Sequence, residues 1–225
     1  YCMGGVSAWV NSNLEKQGYH FENTTVLRNG STLESCFRHY KPTFDTLRIC
    51  FAGLLMPYKG AQVLVQALAI LHQQKIPFIC EFAGDTTHPP FMDNLISIAK
   101  QKDFINRIYF PGFLKKQDLT SLYARSNVMV LPSVFDEPFS RSQLEGMAAG
   151  LALISSGTGG SKEVINHDVN GLIFENKNHQ DLAQKLIYLY QNQGKAEKLA
   201  TKGQEDAFGV TTLNSVEKLE KIFSY

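Results

Sequence analysis

From Leu47 onward, the chain alternates short apolar runs with longer amphipathic segments. The apolar runs are 4 to 7 residues long and largely apolar, with at most one charged residue in each, as parallel strands covered on both faces tend to be. The sequence predicts strands over residues 47–53, 78–84, 107–110, 128–132 and 151–155. It predicts helices between them, over residues 63–71, 94–100, 117–125 and 140–149. This repeated alternation predicts an α/β fold with a doubly wound parallel sheet of the Rossmann-like type.

The segments on either side of this alternation are predicted to be partly helical. Residues 6–17 have a helical pattern that ends at Gly18, and residues 24–27 form a short predicted strand ahead of a turn over residues 28–30. The tail, residues 181–224, predicts two or three amphipathic helices. The glycines expected to break these helices are Gly194, Gly203 and Gly209.

Charge and cysteine content exclude several kinds of partner and site. With 22 Lys and Arg against 21 Asp and Glu, the formal net charge is +1, so no basic excess indicates nucleic acid. The cysteines Cys2, Cys36, Cys50 and Cys80 match neither a CxxC pair nor a zinc spacing, and Cys50 and Cys80 are expected to be buried thiols. Reduced thiols and the lack of an apolar run of about 20 residues predict a cytoplasmic protein without a transmembrane segment. Peripheral attachment to a membrane stays open.

The strongest functional signal lies in residues 137–150. Pro138 can take a first helical position, and Gly150 closes the helix predicted over residues 140–149. In an open parallel sheet the ligand crevice lies at the carboxyl ends of the strands, so the backbone N–H groups at this helix start are placed to bind phosphate. Glu137 precedes the helix, and Glu145 lies about two turns further along, where its carboxylate can accept hydrogen bonds from ribose hydroxyls. The alternative is that both acids only complement the helix dipole.

Six blocks of sequence, in order, resemble one protein family. Residues 137–150, EPFSRSQLEGMAAG, closely resemble the E-x7-E region of family 4 glycosyltransferases, which have the GT-B fold. The other blocks are FAGLLMPYKG (51–60), EFAGD (81–85), YFPGF (109–113), GTGGSKE (157–163) and NGLIFE (170–175). The first of these resembles the family's phosphate-binding loop. The resemblance runs from about residue 6 to the C-terminus and implies the nucleotide-sugar-binding half of a GT-B enzyme.

The resemblance implies a role for each matching residue. Glu137 is expected to be the catalytic carboxylate that contacts the transferred sugar, and Glu145 to bind the ribose. The residues expected to bind the donor's phosphates and sugar are Gly53, Lys59, Phe139, Ser140 and Arg141. The residues expected to lie along the base are Gly84, Gly112, Phe113 and Leu114. No Asp-x-Asp occurs in the chain, so no metal ligand is predicted, and no cofactor is expected besides the nucleotide-sugar donor.

The chain departs from the family pattern at two of these blocks. Leu54 stands where the family usually has an arginine. Without the guanidinium a bidentate phosphate contact is lost, so either donor affinity is lower or Arg141 substitutes for it. Ser140 stands where glycine is usual. Gly159 and Gly160 are either part of the donor site or purely structural turn glycines.

The front of the chain predicts a division into two parts. Residues 1–45 resemble the end of the family's N-terminal acceptor domain and its linker, and residues 46–225 resemble the nucleotide-sugar-binding domain. Most of the acceptor domain is therefore expected to be missing from the chain. A rival interpretation takes residues 4–7 as the glycine-rich first loop of an acceptor domain, but their spacing to Asn29 and Gly30 favours the linker.

The predicted function is a retaining, metal-independent glycosyltransferase of the hexosyltransferase type. Its donor is expected to be a UDP-sugar, and its acceptor a saccharide or lipid-linked molecule in polysaccharide or glycoconjugate synthesis. A second hypothesis is a non-catalytic nucleotide-sugar-binding module, or a fragment that needs a partner acceptor domain. A dehydrogenase is disfavoured because no Gly-x-Gly-x-x-Gly follows the first strand of the sheet. A sugar-nucleotide epimerase shares the GT-B fold but not this set of blocks.

Overall fold

The computed structural model, which describes residues 2–28, 36, 42–210, 216, 217, 219 and 220, begins with a small βαβ unit. Strand β1 (Cys2–Gly5) pairs in parallel with β2 (Asn23–Val26), and helix α1 (Ala8–Lys16) connects them. Ser7 caps α1, because its hydroxyl accepts a hydrogen bond from the Val10 N–H at 3.2 Å. The predicted helix and short strand are confirmed, whereas β1 is missed by the sequence prediction. The rest of the predicted turn, Asn29 and Gly30, lies outside the described residues.

A six-stranded parallel sheet follows. Its strands are β3 (Leu47–Ala52), β4 (Phe78–Ala83), β5 (Ile108–Gly112), β6 (Val128–Leu131), β7 (Ala152–Ser155) and β8 (Leu172–Ile173). The spatial order is β5-β4-β3-β6-β7-β8, which confirms the predicted doubly wound α/β fold. All five predicted strands are present, with ends shifted by one or two residues. Strand β8 is added, since a two-residue strand is too short to show a pattern.

Six further helices connect and cover the strands. They are α2 (Ala61–Gln73), α3 (Pro89–Gln101), α4 (Lys116–Arg125), α5 (Arg141–Ala148), α6 (His179–Gln191) and α7 (Gln193–Phe208). None of the helices in the described ranges has the length and apolar character that a membrane crossing requires.

Two details of the predicted helices are wrong. Helix α5 begins at Arg141 with Ser140 at its N-cap, so Pro138 lies in the preceding loop rather than in the first turn. Gly194 and Gly203 lie inside α7, and only Gly209 ends it. Gly203 is buried beside the Asn170 carbonyl, so close packing of the helix outweighs the low helix propensity of glycine. Most of the predicted tail beyond residue 210 lies outside the described residues.

The core lies on both faces of the main sheet. Along β3, Ile49 and Phe51 pack into one apolar cluster, while Cys50 and Ala52 pack into a second cluster on the opposite face. Successive side chains of a strand point to opposite faces, so a strand covered on both sides is mostly apolar, and in β3 only Arg48, near its start, is charged. The predicted burial of Cys50 and Cys80 is confirmed, and burial raises the pKa of the Cys80 thiol.

The sheet has a switch point between β3 and β6. From β3 the chain winds outward through β4 to β5, and from β6 it winds the other way through β7 to β8. Loops that leave neighbouring strands in opposite directions open a crevice between them at the carboxyl ends. The chain segments after β3 and β6 therefore face each other across this crevice.

Candidate functional site

A cavity of about 510 Å³ lies at the carboxyl ends of β3, β4 and β6. Its volume falls in the range of small-molecule sites, roughly 300–1,000 Å³. The predicted site residues that line it are Gly53, Lys59, Gly84, Phe113, Leu114, Glu137, Phe139, Ser140, Arg141 and Glu145. The structure therefore brings together ten of the eleven residues. Gly112 does not line the cavity, but its carbonyl accepts a hydrogen bond from the N–H of the lining residue Gly84 at 2.9 Å.

Glu137 is the most enclosed acid in the cavity, with 7% of its surface exposed. Its Oε1 accepts hydrogen bonds from Lys59 Nζ and from Ser133 Oγ, both at 2.6 Å. Burying a carboxylate is costly unless a cation and hydrogen-bond donors compensate it, and here one oxygen has both. The contacts with Lys59 and Ser133 therefore fix the Glu137 side chain at the cavity wall.

Lys59 is placed by a short 3-10 turn, Pro57–Lys59, that follows β3. Its ammonium lies 5.0 Å from the centre of the Phe135 ring, and the Tyr58 and Phe135 rings pack edge to face at 5.1 Å. The Val134 N–H donates to the Tyr58 carbonyl at 2.9 Å, which ties the loop after β6 to this turn. Backbone and ring contacts thus hold the lysine and the loop of Glu137 together.

Glu145 is fixed by a buried tyrosine. Tyr123, on α4, donates its hydroxyl to Glu145 Oε2 at 3.0 Å, and only 1% of the tyrosine is exposed. Burial, and then the negative charge of Glu145, raise the pKa of Tyr123 well above its ordinary value, so the hydroxyl stays protonated and donates. One carboxylate oxygen of Glu145 is thereby oriented at the cavity wall.

The start of α5 forms the part of the wall between the two acids. Ser140 is the N-cap residue, but in the described structure no side chain caps the helix, and Ser140 Oγ lies 3.1 Å from Ser142 Oγ instead. The first backbone N–H groups of a helix have no intrahelical acceptor and carry the positive end of its dipole. Arg141 is exposed at the same place and adds a guanidinium. This end of the cavity is suited to an anion.

Gly159 and Gly160 support Glu137 from behind and do not line the cavity. They begin a 3-10 turn, Gly159–Glu163, that follows β7. The Gly160 N–H donates to the Glu137 carbonyl at 2.7 Å, and the Gly159 N–H donates to Asp136 Oδ1 at 3.1 Å. Of the two interpretations left open by the sequence, this placement favours structural turn glycines.

The cavity also contains residues that sequence reasoning did not assign to the site, chiefly Ser133, Tyr123 and Asp85. Ser133 and Asp85 are each the second residue after a strand, β6 and β4, so the rule that ligands bind at carboxyl strand ends could have found them. Tyr123 belongs to the apolar stripe of α4 and gives no signal distinct from a core residue. Leu54 lines the cavity as well, with 48% of its surface exposed.

Comparison with known proteins identifies a family match. The model of the family described as "Glycosyl transferases group 1" matches residues 39–206. An uncharacterized glycosyltransferase of Methanocaldococcus jannaschii is 30% identical over 175 residues, which are 77% of this chain and 43% of that protein. The chain spans 40–43% of the length of the first curated relatives it matches.

Two solved structures show the same fold. A glycosyltransferase from Rickettsia africae superimposes with a TM-score of 0.87 at 24% identity, over 98% of this chain and 63% of that one. The Anabaena protein HepE, crystallised in complex with UDP-glucose, superimposes with a TM-score of 0.88 at 21% identity, again over 98% and 63%. At such identities the likeness is one of fold, and both matches fit the GT-B architecture expected from the sequence.

Gly159→Ala tests whether this turn holds the loop of Glu137. Gly159 has φ 57°, and an added Cβ would overlap the Glu137 carbonyl oxygen. We expect a loss of about 2–4 kcal/mol in the free energy of unfolding, from backbone strain and this overlap. Gly18→Ala is the matched control, because Gly18 also has a positive φ of 92° but an added Cβ there meets no atom within 4 Å. It should lose only about 1 kcal/mol in urea unfolding. Equal losses for the two variants would contradict the supporting role of Gly159.

Proposed function

The chain belongs to the glycosyl transferases group 1 family, and on that premise we propose that its cavity binds a nucleoside diphosphate sugar and that the protein transfers the sugar to an acceptor. One observation carries this proposal: a single cavity holds a lysine, an uncapped helix start and two separately oriented glutamates. The lysine and the helix start are suited to bind phosphates, and the two carboxylates can accept hydrogen bonds from sugar hydroxyls.

Each part of the donor has a matching part of the cavity. The diphosphate would lie between Lys59 and the start of α5, where Arg141 adds a second positive side chain. The transferred sugar would contact Glu137, and the ribose hydroxyls would donate hydrogen bonds to the carboxylate of Glu145. Phe113, with 74% of its surface exposed at the cavity, offers an aromatic face for the base beside Leu114.

The proposed donor is a UDP-sugar. Support comes from the fold neighbour HepE, which was crystallised with UDP and with UDP-glucose. The proposed transferred group is a hexose, and the proposed acceptor is a saccharide or a lipid-linked molecule in polysaccharide or glycoconjugate synthesis. The acceptor would be bound largely by an N-terminal acceptor domain, with residues 1–45 as the end of that domain and its linker. Residues 46–225 would form the donor domain.

The proposed chemistry retains the anomeric configuration and needs no metal ion. As the bond from the sugar to the diphosphate breaks, negative charge grows on the leaving phosphate. Lys59 and the backbone N–H groups of α5 would stabilise this charge electrostatically, with little reorganisation of the site. Glu137 would stabilise positive charge that develops on the sugar ring. Metal independence and retention both stay predictions.

Glu137→Ala separates sugar transfer from nucleotide binding. With the acceptor domain present, we expect sugar transfer from UDP-glucose to fall at least about 1,000-fold, because the variant removes the carboxylate beside the reacting sugar. UDP affinity, measured by calorimetry, should change by no more than about threefold, since Glu145 and α5 are untouched. The isosteric variant Glu137→Gln should lose turnover to a similar extent. Equal loss of UDP affinity and turnover would contradict the role assigned to Glu137.

Leu54→Arg tests whether the diphosphate lies at the rim beside the phosphate-binding loop. Leu54 is half exposed at the cavity, so a guanidinium there can reach a bound phosphate without being buried unpaired. We expect UDP to bind about tenfold more tightly, as charge-assisted hydrogen bonds to phosphate allow. Leu54→Met, which keeps the site apolar, should bind UDP as the wild type does. Unchanged affinity in Leu54→Arg would place the diphosphate elsewhere in the cavity.

A further inference from the structure

The 3-10 turn Gly159–Glu163 connects the site to the front of the chain. On one side, the Gly160 N–H holds the Glu137 carbonyl at 2.7 Å. The same turn also holds α5: Gln143, which is fully buried, donates its Nε2 to the Ser161 carbonyl at 3.1 Å. Glu145 belongs to α5. This one turn therefore contacts both the loop of Glu137 and the helix of Glu145.

The other side of the turn is held by the N-terminal segment, defined as residues 2–28. Glu163 Oε1 accepts the Trp9 backbone N–H at 2.8 Å, and Glu163 Oε2 accepts Arg28 Nη2 at 3.2 Å. Trp9 lies in the first turn of α1, so the carboxylate also meets the positive end of that helix. Ser7, fully buried, packs directly against Gly160. The N-terminal segment and the turn are therefore in close contact across more than 130 residues of sequence separation.

The Glu163 contacts are well suited to transmit a displacement. Both are charge-assisted, and the glutamate side chain is only 19% exposed, so water replaces them poorly. The path from Trp9 to Glu137 runs through one short turn, whose Glu163 and Gly160 are only three residues apart. A shift of the N-terminal segment that moves this turn would also displace the Gly160 N–H from the Glu137 carbonyl.

We propose that Glu163 is a positioning residue that couples the N-terminal segment to Glu137. Movement of residues 2–28 relative to the main sheet would shift the Gly159–Glu163 turn and, through Gly160, the backbone of Glu137. The part of this inference that concerns sugar transfer rests on the proposed function. The mechanical coupling itself depends only on the contacts described, so the two can be tested separately.

The coupling is tested by amide hydrogen exchange of the full chain. Glu163→Ala removes both acceptors of the N-terminal segment, so the Gly160 amide should exchange at least about fivefold faster than in the wild type. The matched control is Glu81→Ala, because Glu81 is also 19% exposed and is paired with an arginine, Arg125, away from the turn. It should leave Gly160 exchange unchanged within about twofold. Arg28→Met removes one of the two contacts, so it should accelerate exchange of the Gly160 amide by a smaller factor. This variant replaces Glu163→Ala in the test if Glu163→Ala does not fold.

A Gly160 amide that exchanges as in the wild type, while the Trp9 amide exchanges faster, would overturn the proposal. It would show that Glu163 holds only the N-terminal segment.

A second arm adds UDP and detects coupling that a purely structural contact would not produce. Coupling between sites is reciprocal, so UDP at saturation should slow Trp9 amide exchange in the wild type, and this effect should disappear in Glu163→Ala. Binding of UDP without any change at Trp9 would overturn the coupling. Failure of UDP to bind the wild type would contradict the proposed function instead, and the exchange of Gly160 without ligand would still decide the coupling.

Discussion

The ion pair between Lys59 and Glu137 is the interaction around which the cavity is organised. One carboxylate oxygen accepts both the Lys59 ammonium and the Ser133 hydroxyl at 2.6 Å, in a place where only 7% of the glutamate is exposed. Such a pair gains little net stability over an apolar core, but the loss of one partner leaves a poorly hydrated charge. A donor diphosphate would share the lysine with this glutamate. Under the proposed function, the ammonium would then contact both the leaving phosphate and the carboxylate beside the sugar.

The topology of the sheet makes this pair possible. Lys59 follows β3 and Glu137 follows β6, and these strands are neighbours only because the chain reverses its winding direction between them. Gly60, at the start of α2, has φ 77° and lies so close to the Pro132 carbonyl that a Cβ would overlap it. The two loops therefore approach each other at backbone distance. Behind them, the Gly159–Glu163 turn holds Glu137 from the side opposite the cavity.

Much of the fold and of the site composition could be predicted from the sequence, because both follow from local patterns. Short, largely apolar runs are sufficient to predict β3 to β7, and the turn residues after them identify the edge of the sheet where the cavity lies. No local pattern predicts strand β8, which has only two residues, or the buried position of Gly203 within α7. Both depend on tertiary packing. The Tyr123–Glu145 hydrogen bond and the contacts of Glu163 with Trp9 and Arg28 join distant parts of the chain, so only the folded structure shows them. The role of each site residue in transfer stays a prediction.

The central claim is that the lysine paired with Glu137 also binds the donor's phosphates. Its most direct test is a calorimetric titration of UDP, and separately of uridine, into the wild type and into Lys59→Met. The account predicts saturable binding of UDP to the wild type and at least about tenfold weaker binding to Lys59→Met, because a charge-assisted phosphate contact is lost. Uridine, which has no phosphate, should bind both proteins equally. Equal UDP affinity for the two proteins, or no saturable UDP binding by the folded wild type, would contradict the account.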